Sequence, residues 1–258
     1  MKREHIVSID SSLCNCCGLC GKDCPDNAFV MTDAGAEVAT QDCLKCGHCV
    51  AVCPQNAVSI SGFEDAPEEI IHDTKPDPDD FLAMMKGRRT IRQFTGQDVP
   101  QEIIEKIIEA GRYTPTGRNI QGVSYVVLRE GLDECERLAV SLLRRAQFFI
   151  GIFVKSYKRI QIDDRYIFKG APVAIVIKAD NVVDGALAAS AMELMARACG
   201  LGVLYSGMFA IAAKVSHKLK RKLSAGSKAK VVTTLVLGYP AVTYHRTAQR
   251  ERPTVRYD

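Results

Sequence analysis

Nine of the eleven cysteines lie between residues 14 and 53, and their spacing repeats. Cys14, Cys17, Cys20 and Cys24 recur 29 positions later as Cys43, Cys46, Cys49 and Cys53, each run reading C-x2-C-x2-C-x3-C-P. Gly18 matches Gly47, Pro25 matches Pro54, and the tails PDNAFVM and PQNAVSI correspond. Such a duplication predicts a small pseudo-twofold domain. Thiols at this density form disulfides or hold metal. The opening MKREHIVSID has no apolar run, and no stretch reaches about 18 uninterrupted apolar residues. The chain is therefore expected to be cytoplasmic and not membrane-bound, where thiols stay reduced and metal is the better reading. Zinc would use paired CxxC knuckles and leave the third cysteine of each run redundant.

The two runs resemble those of bacterial 2[4Fe–4S] ferredoxins, over about residues 5–62. Three closely spaced thiolates can cap three irons of one cube from a tight loop, while the fourth reaches the partner cube. Gly18, Gly21 and Gly47 let the backbone wrap close to the sulfurs. The resemblance implies that Cys14, Cys17, Cys20 and Cys53 hold one cluster, and that Cys43, Cys46, Cys49 and Cys24 hold the other. Cys16 has Lys45 as its counterpart and is expected to be a bystander. Cys135 and Cys199 are expected to be buried small apolar residues.

The rest of the chain offers arginines. RRTIRQF, residues 88–94, has three of them with a threonine, a combination suited to gripping phosphate; a solvated basic turn is the plainer alternative. YTPTGRNIQGVSYVVL (113–128) places a Pro-Thr-Gly-Arg-Asn loop before a strand, and its small groups could cover a planar ring. GLGVLYSGMF (200–209) and GYPAVTYHRTAQR (238–250) follow. No G-x-G-x-x-G follows a strand, and there is no Walker A sequence, H-x-E, H-E-x-x-H or evident Ser-His-Asp set.

These four pieces, in this order, resemble the FMN-dependent nitroreductase family over about residues 81–258. Its R-R-S-x-R-x-F start, which contacts the FMN phosphate and ribityl chain, reads here Arg88-Arg89-Thr90-Ile91-Arg92-Gln93-Phe94. Its P-S-x-x-N-x-Q loop, laid along the flavin from the partner subunit, reads Pro115-Thr116-Gly117-Arg118-Asn119-Ile120-Gln121. Its glycine segment near the ring spans Gly200 to Gly207 and includes Tyr205 and Ser206, and its closing L-G-Y-P is Leu237 to Pro240, with Arg246 or Arg250 downstream for the phosphate. The aromatic residue that often follows the glutamine loop is replaced by Gly122-Val123-Ser124-Tyr125, which leaves the shape of the substrate pocket open.

The joint resemblance is to ferredoxin–nitroreductase fusions of anaerobic bacteria and archaea. It implies two [4Fe–4S] clusters and FMN, and a homodimer with both flavins at the interface. The donor would be NAD(P)H or a ferredoxin-type protein, and the acceptor a small molecule such as a nitro compound. Clusters that carry single electrons, beside a flavin that accepts one or two, make a converter. Reduction of a quinone or activated C=C bond, reductive dehalogenation, and an electron-transfer adaptor or redox sensor without its own substrate stay open.

Elements must position these residues. Charge divides the chain, with 15 acidic and 5 basic side chains in residues 1–80 and 15 acidic and 29 basic beyond. The basic part attracts phosphates and acidic protein surfaces. Its dense run KVSHKLKRKLSAGSKAK (214–230) reads as a solvated helix face or a dock for acidic redox partners, and lacks the interleaved aromatics of a nucleic-acid site. We expect a ferredoxin-like domain at 1–62, an acidic proline-containing linker at 63–80, and an α+β FMN domain at 81–258. Within the last, 98–115 predicts a helix capped by Asp98, with Ile103, Ile104, Ile107 and Ile108 as its apolar stripe. VSYVVLRE (123–130), APVAIVIKAD (171–180) and KVVTTLVLGYP (230–240) predict strands, the second buried on both faces. Residues 184–199 predict a small-residue helix suited to close subunit packing.

Overall fold

The computed structural model describes residues 4–71, 74–153, 160–224 and 229–258. It divides into two compact units, Met1–Lys75 with Arg118–Ile120, and Pro76–Gly117 with Gln121–Asp258.

The first unit follows the duplication. Strand β1 (Val7–Ile9) precedes the first cysteine run and pairs antiparallel with β4 (Val58–Ile60), which follows the second run. Strand β2 (Phe29–Thr32), after the first run, pairs antiparallel with β3 (Gly35–Val38), before the second. The repeats are thus interlaced. Two single-turn helices, α1 (Leu19–Lys22) and α2 (His48–Ala51), start from Gly18 at φ 71° and Gly47 at φ 77°, a left-handed conformation that glycine adopts without a Cβ clash. Asn27 and Asn56 (φ 51° and 52°) and Cys16 and Lys45 (φ 61° and 54°) are further left-handed pairs at the same offset. The buried core is small: Val7, Cys20, Ala36, Cys49 and Val58.

The second unit opens on helix α3 (Pro78–Lys86), which begins inside the stretch expected to be linker. Asp77 accepts hydrogen bonds from the Asp79 and Asp80 amides at 2.9 and 3.0 Å, and Pro78 occupies the first turn, where no N–H is needed. Helix α4 (Gln101–Arg112) buries Ile104 and Ile107 completely, each contributing roughly 1.5–3 kcal/mol of apolar transfer. Its N-cap is Pro100. Asp98, expected in that role, lies two residues too early; its carboxylate accepts from Val99 N–H and faces Arg129 at 3.5 Å.

Strands β5 (Ser124–Leu128), β6 (Val173–Ala179), β7 (Gly202–Tyr205) and β8 (Lys230–Gly238) form a sheet in the order β5-β6-β8-β7, every pair antiparallel. All of β6 is buried. Its Ala174 and Val176 face a cluster formed with helices α5 (Leu132–Phe153), α7 (Gly207–Val215) and α8 (His217–Lys222). Its Val173, Ile175 and Ile177 face the opposite cluster, formed with α4 and helix α6 (Val182–Ala198, capped by Asn181). The fold is α+β, two helical layers on an antiparallel sheet. The small residues of α6 serve this packing: Ala188, Ala189 and Ala196 are buried within the unit. The basic run continues as α8, which buries Leu219 and leaves its cations exposed; residues 225–228 of that run lie outside the described residues. Among the described residues no helix is long and apolar enough to cross a membrane.

Candidate functional site

In the first unit the eight repeated cysteines surround two separate hollows. Cys14, Cys17, Cys20 and Cys53 line one, with Gly18, Ile9, Ala36 and Val58. Cys24, Cys43, Cys46 and Cys49 line the other, with Gly47, Phe29 and Ile60. The interlaced strands explain the exchange, because each run's fourth cysteine leads into the strand that pairs with the other repeat's first strand. Among the described residues no three Cys, His, Asp or Glu side chains converge on a single-ion site. The Ala28 amide donates to Cys24 Sγ and the Ala57 amide to Cys53 Sγ, each at 3.3 Å, bonds that favour thiolate. Backbone N–H groups of Ala36 and Cys16 hold the Cys14 thiol below its ordinary range, while burial pushes Cys20 and Cys49 up. Four sulfurs around an apolar hollow, with amides aimed at sulfur, fit an iron–sulfur cube.

Cys16 is exposed and lines neither hollow. Cys135 is buried, and burial pushes its thiol up. Cys199 is only half-buried, because it caps the C-terminal end of α6 instead of lying on its inner face.

In the second unit the arginine segment is tied to the sheet by two isolated bridges. Thr90 pairs with Val203 in parallel, and Ile91 N–H donates to Val203 O at 3.0 Å. Phe94 pairs with Pro240, while Thr95 N–H donates to Tyr239 O and Ala241 N–H to Gln93 O. Residues 90–95 are thereby joined to Val203 and to residues 239–241. Gly202 is what permits it, since a Cβ there would meet Ile91 Cγ1 at 2.6 Å.

Arg88, half-buried, pairs through Nη1 with Glu193 of α6 at 3.0 Å. Arg89 Nη1 donates to the carbonyls of Lys86 and Arg88, and its Nη2 is shielded from solvent without a hydrogen-bond partner. Thr90 is half-buried and Arg92 exposed. The Tyr205 hydroxyl donates to Ala189 O at 3.0 Å, and burial together with nearby Glu193 pushes its phenol well up. Ser206 is buried, its amide bonded to Thr234 O, and Gly207 opens α7 with free space where a Cβ would stand. A shielded guanidinium N–H group without a partner, followed in the chain by a threonine, fits the phosphate of a phosphorylated flavin.

The Pro115–Gly117 stretch is held at the start of α6. Buried Asp184 accepts from Gly117 N–H at 3.1 Å and from Asn181 Nδ2 at 3.2 Å, and Thr116 Oγ1 accepts from Gln121 N–H. Pro115 and Gly117 are exposed. Asn119, left-handed at φ 52°, groups with the first unit. Arg246 and Arg250 are exposed in a C-terminal segment without regular structure. Sequence reasoning passed over Glu193 and Asp184. Their signal was two acids on a helix otherwise made mostly of small and apolar residues, VVDGALAASAMELMARA.

Comparison with known proteins matches residues 85–239 to the model of the nitroreductase family and residues 6–54 to a 4Fe-4S dicluster domain. The chain belongs to the nitroreductase family. It is an oxidoreductase of that family, with an iron–sulfur domain of the 4Fe-4S dicluster type. A relative from Methanothermobacter thermautotrophicus, named as an NADH dehydrogenase/NAD(P)H nitroreductase, is 26% identical over 173 residues, 63% of this chain and 78% of the relative. Iodotyrosine deiodinase of Nematostella vectensis is 34% identical over 68 residues, 26% of this chain and 25% of that protein. Among solved structures, a nitroreductase with bound FMN from Desulfitobacterium hafniense superposes with a TM-score of 0.57 at 20% identity, covering 69% of this chain and 97% of that one. One from Bacteroides fragilis, also with bound FMN, gives 0.54 at 18% identity, covering 69% and 98%. These two likenesses concern the fold.

Proposed function

We propose that this family member passes electrons between two [4Fe–4S] clusters, FMN and a small organic acceptor such as a nitro compound, as a homodimer. When bound, the clusters carry one electron each and the flavin one or two, so the set converts single electrons into pairs. In this reading Cys14, Cys17, Cys20 and Cys53 hold one cluster and Cys24, Cys43, Cys46 and Cys49 the other. Arg88, Arg89, Thr90 and Arg92, with Arg246 or Arg250, bind the FMN phosphate and ribityl chain. Pro115, Thr116, Gly117 and Asn119 cover a flavin, and Tyr205, Ser206 and Gly207 border the ring. The domain limits proposed are 1–62, 63–80 and 81–258, the helix α3 being a start of order within the linker.

The observation that carries the reading is the pair of four-thiol hollows in a chain whose arginine segment is built into the sheet of a flavin-binding fold. The residues themselves bind and orient. Arg89 Nη2 offers a shielded donor to an anion. Tyr205, its proton engaged by Ala189 O and its phenol pushed up, stays protonated and neutral at physiological pH. Exposed Val182, Val183 and Leu187 on α6 support a subunit contact.

Anaerobic absorbance with iron, sulfide and flavin analysis tests the cofactor assignment: about eight irons and one FMN per chain are expected. Zinc in place of iron, or absent flavin, would refute it. Turnover of a nitroaromatic with NAD(P)H or with reduced ferredoxin tests the reaction, and no turnover with any acceptor would favour an electron-transfer adaptor. Reductive dehalogenation is the second reading, favoured by the two short matches to iodotyrosine deiodinases, 34% and 36% identical. An iodinated phenol in the same assay, consumed with iodide release faster than the nitroaromatic, would decide for it.

A further inference from the structure

Glu193 is 7% exposed and sits on the inner face of α6, among Ala189, Met192 and Ala196. A carboxylate in such surroundings needs a charged or hydrogen-bonding partner. It has Arg88 Nη1 at 3.0 Å, across 105 residues of sequence. The same turn of α6 supplies the Ala189 carbonyl that accepts the Tyr205 hydroxyl. One helical turn therefore holds a residue from each of two segments joined by the Thr90–Val203 bridge. The pair is directional. Glu193 is anchored in a packed helix, whereas Arg88 precedes the bridge at Thr90 and is about one-third exposed. The helix thus sets the guanidinium, and the guanidinium does not set the helix.

We propose that Glu193 is a positioning residue for the flavin phosphate site: by engaging one edge of Arg88 it turns the remaining N–H groups toward the phosphate. The inference rests on the reading that Arg88 contacts FMN. Charge alone would argue the reverse, because a carboxylate close to a phosphate repels it, and its removal would tighten binding. The two effects give opposite signs.

The test is a double-mutant cycle on FMN dissociation from the holoprotein, read by flavin fluorescence, with Arg88→Ala, Glu193→Ala, Glu193→Gln and the double variant Arg88→Ala/Glu193→Ala. Glu193→Ala is expected to raise Kd about tenfold, the scale of one charge-assisted hydrogen bond. Glu193→Gln, which keeps the acceptor oxygen and the shape, should raise it roughly threefold or less, and carries the test if the alanine variant does not fold. In the Arg88→Ala background, Glu193→Ala should add nothing. Tighter or unchanged FMN in both Glu193 variants while Arg88→Ala weakens binding would overturn the inference. An equal loss in both backgrounds would overturn it too, since Glu193 would then act through Tyr205 or the fold at large and not through Arg88. If Arg88→Ala itself leaves Kd unchanged, the assignment of Arg88 to FMN fails, and the inference falls with it.

Discussion

Replacing Gly202 by alanine puts one methyl group where the arginine segment crosses β7. A Cβ at Gly202 would stand 2.6 Å from Ile91 Cγ1, 2.9 Å from Ile91 Cβ and 3.0 Å from Ile91 Cγ2, all inside the 3.4 Å at which ordinary contact begins. Rotation about χ1 can move the γ carbons but not Ile91 Cβ, whose position the backbone sets. Ile91 is only 5% exposed, so there is little free space for it to enter. The backbone of the segment must shift, and overpacking of this kind costs about 1–3 kcal/mol. For a chain of this size that lowers Tm by roughly 2–4 °C per kcal/mol. The shift acts on the Ile91 bond to Val203 O, 3.0 Å long, and on the Thr90–Val203 bridge. Arg88, Arg89 and Thr90 move with it, and on the proposed contacts FMN affinity falls roughly tenfold, the scale of sub-ångström misplacement. Thermal melting by circular dichroism and FMN release by fluorescence read both effects. Ile91→Ala in the same chain, which removes both γ carbons, should restore part of each. An unchanged Tm would refute the packing argument. A lower Tm with unaltered FMN affinity would break the link from packing to the site.

Three further outcomes are expected. Glu136 is buried and accepts N–H bonds from Ile167 and Phe168 at 3.0 and 2.6 Å; burial pushes its carboxyl above the ordinary 4.5. The stability of its neutral form is therefore complete below pH 4.5 and lost as pH rises through the folded value. The Tm of Glu136→Gln should gain on that of the parent as pH rises above 4.5, and parallel curves would contradict this. Cys16→Gly should keep about eight irons per chain, as two four-iron cubes require, and relieve a left-handed backbone by roughly 1 kcal/mol, whereas Cys24→Ser should lose iron; iron analysis and melting decide. Oxidative chelation of the iron should unfold residues 4–71, whose apolar core is small, and leave the sheet of the second unit protected. Hydrogen exchange of the full chain would show it, and protection of both units after iron loss would contradict it.

Much of the fold was legible where the signal is local. The Ile103–Ile108 stripe marked α4, and the unbroken apolar run marked β6 as covered on both faces. Other elements were not. Helix α3 starts in an acidic, proline-bearing stretch that reads as a breaker, yet Pro78 is at the one helical turn that tolerates it. Strand β7 is four residues, and α7, GMFAIAAKV, is apolar on nearly every side, so neither has a period to read. Helix α5, by contrast, carried a readable stripe in Leu132, Cys135, Ala139 and Leu143 that sequence reasoning did not use.

The sequence by itself determined the two cysteine runs, their 29-residue echo and the arginine segment, because each is a spacing within one short stretch. Only the tertiary structure decided that β1 pairs with β4 and β2 with β3, that Thr90 lies beside Val203, and that Arg88 meets Glu193. Except for the tight β2–β3 hairpin, those contacts close long loops. Their partners are chosen by which faces bury apolar surface together, and no local period of the chain encodes that choice.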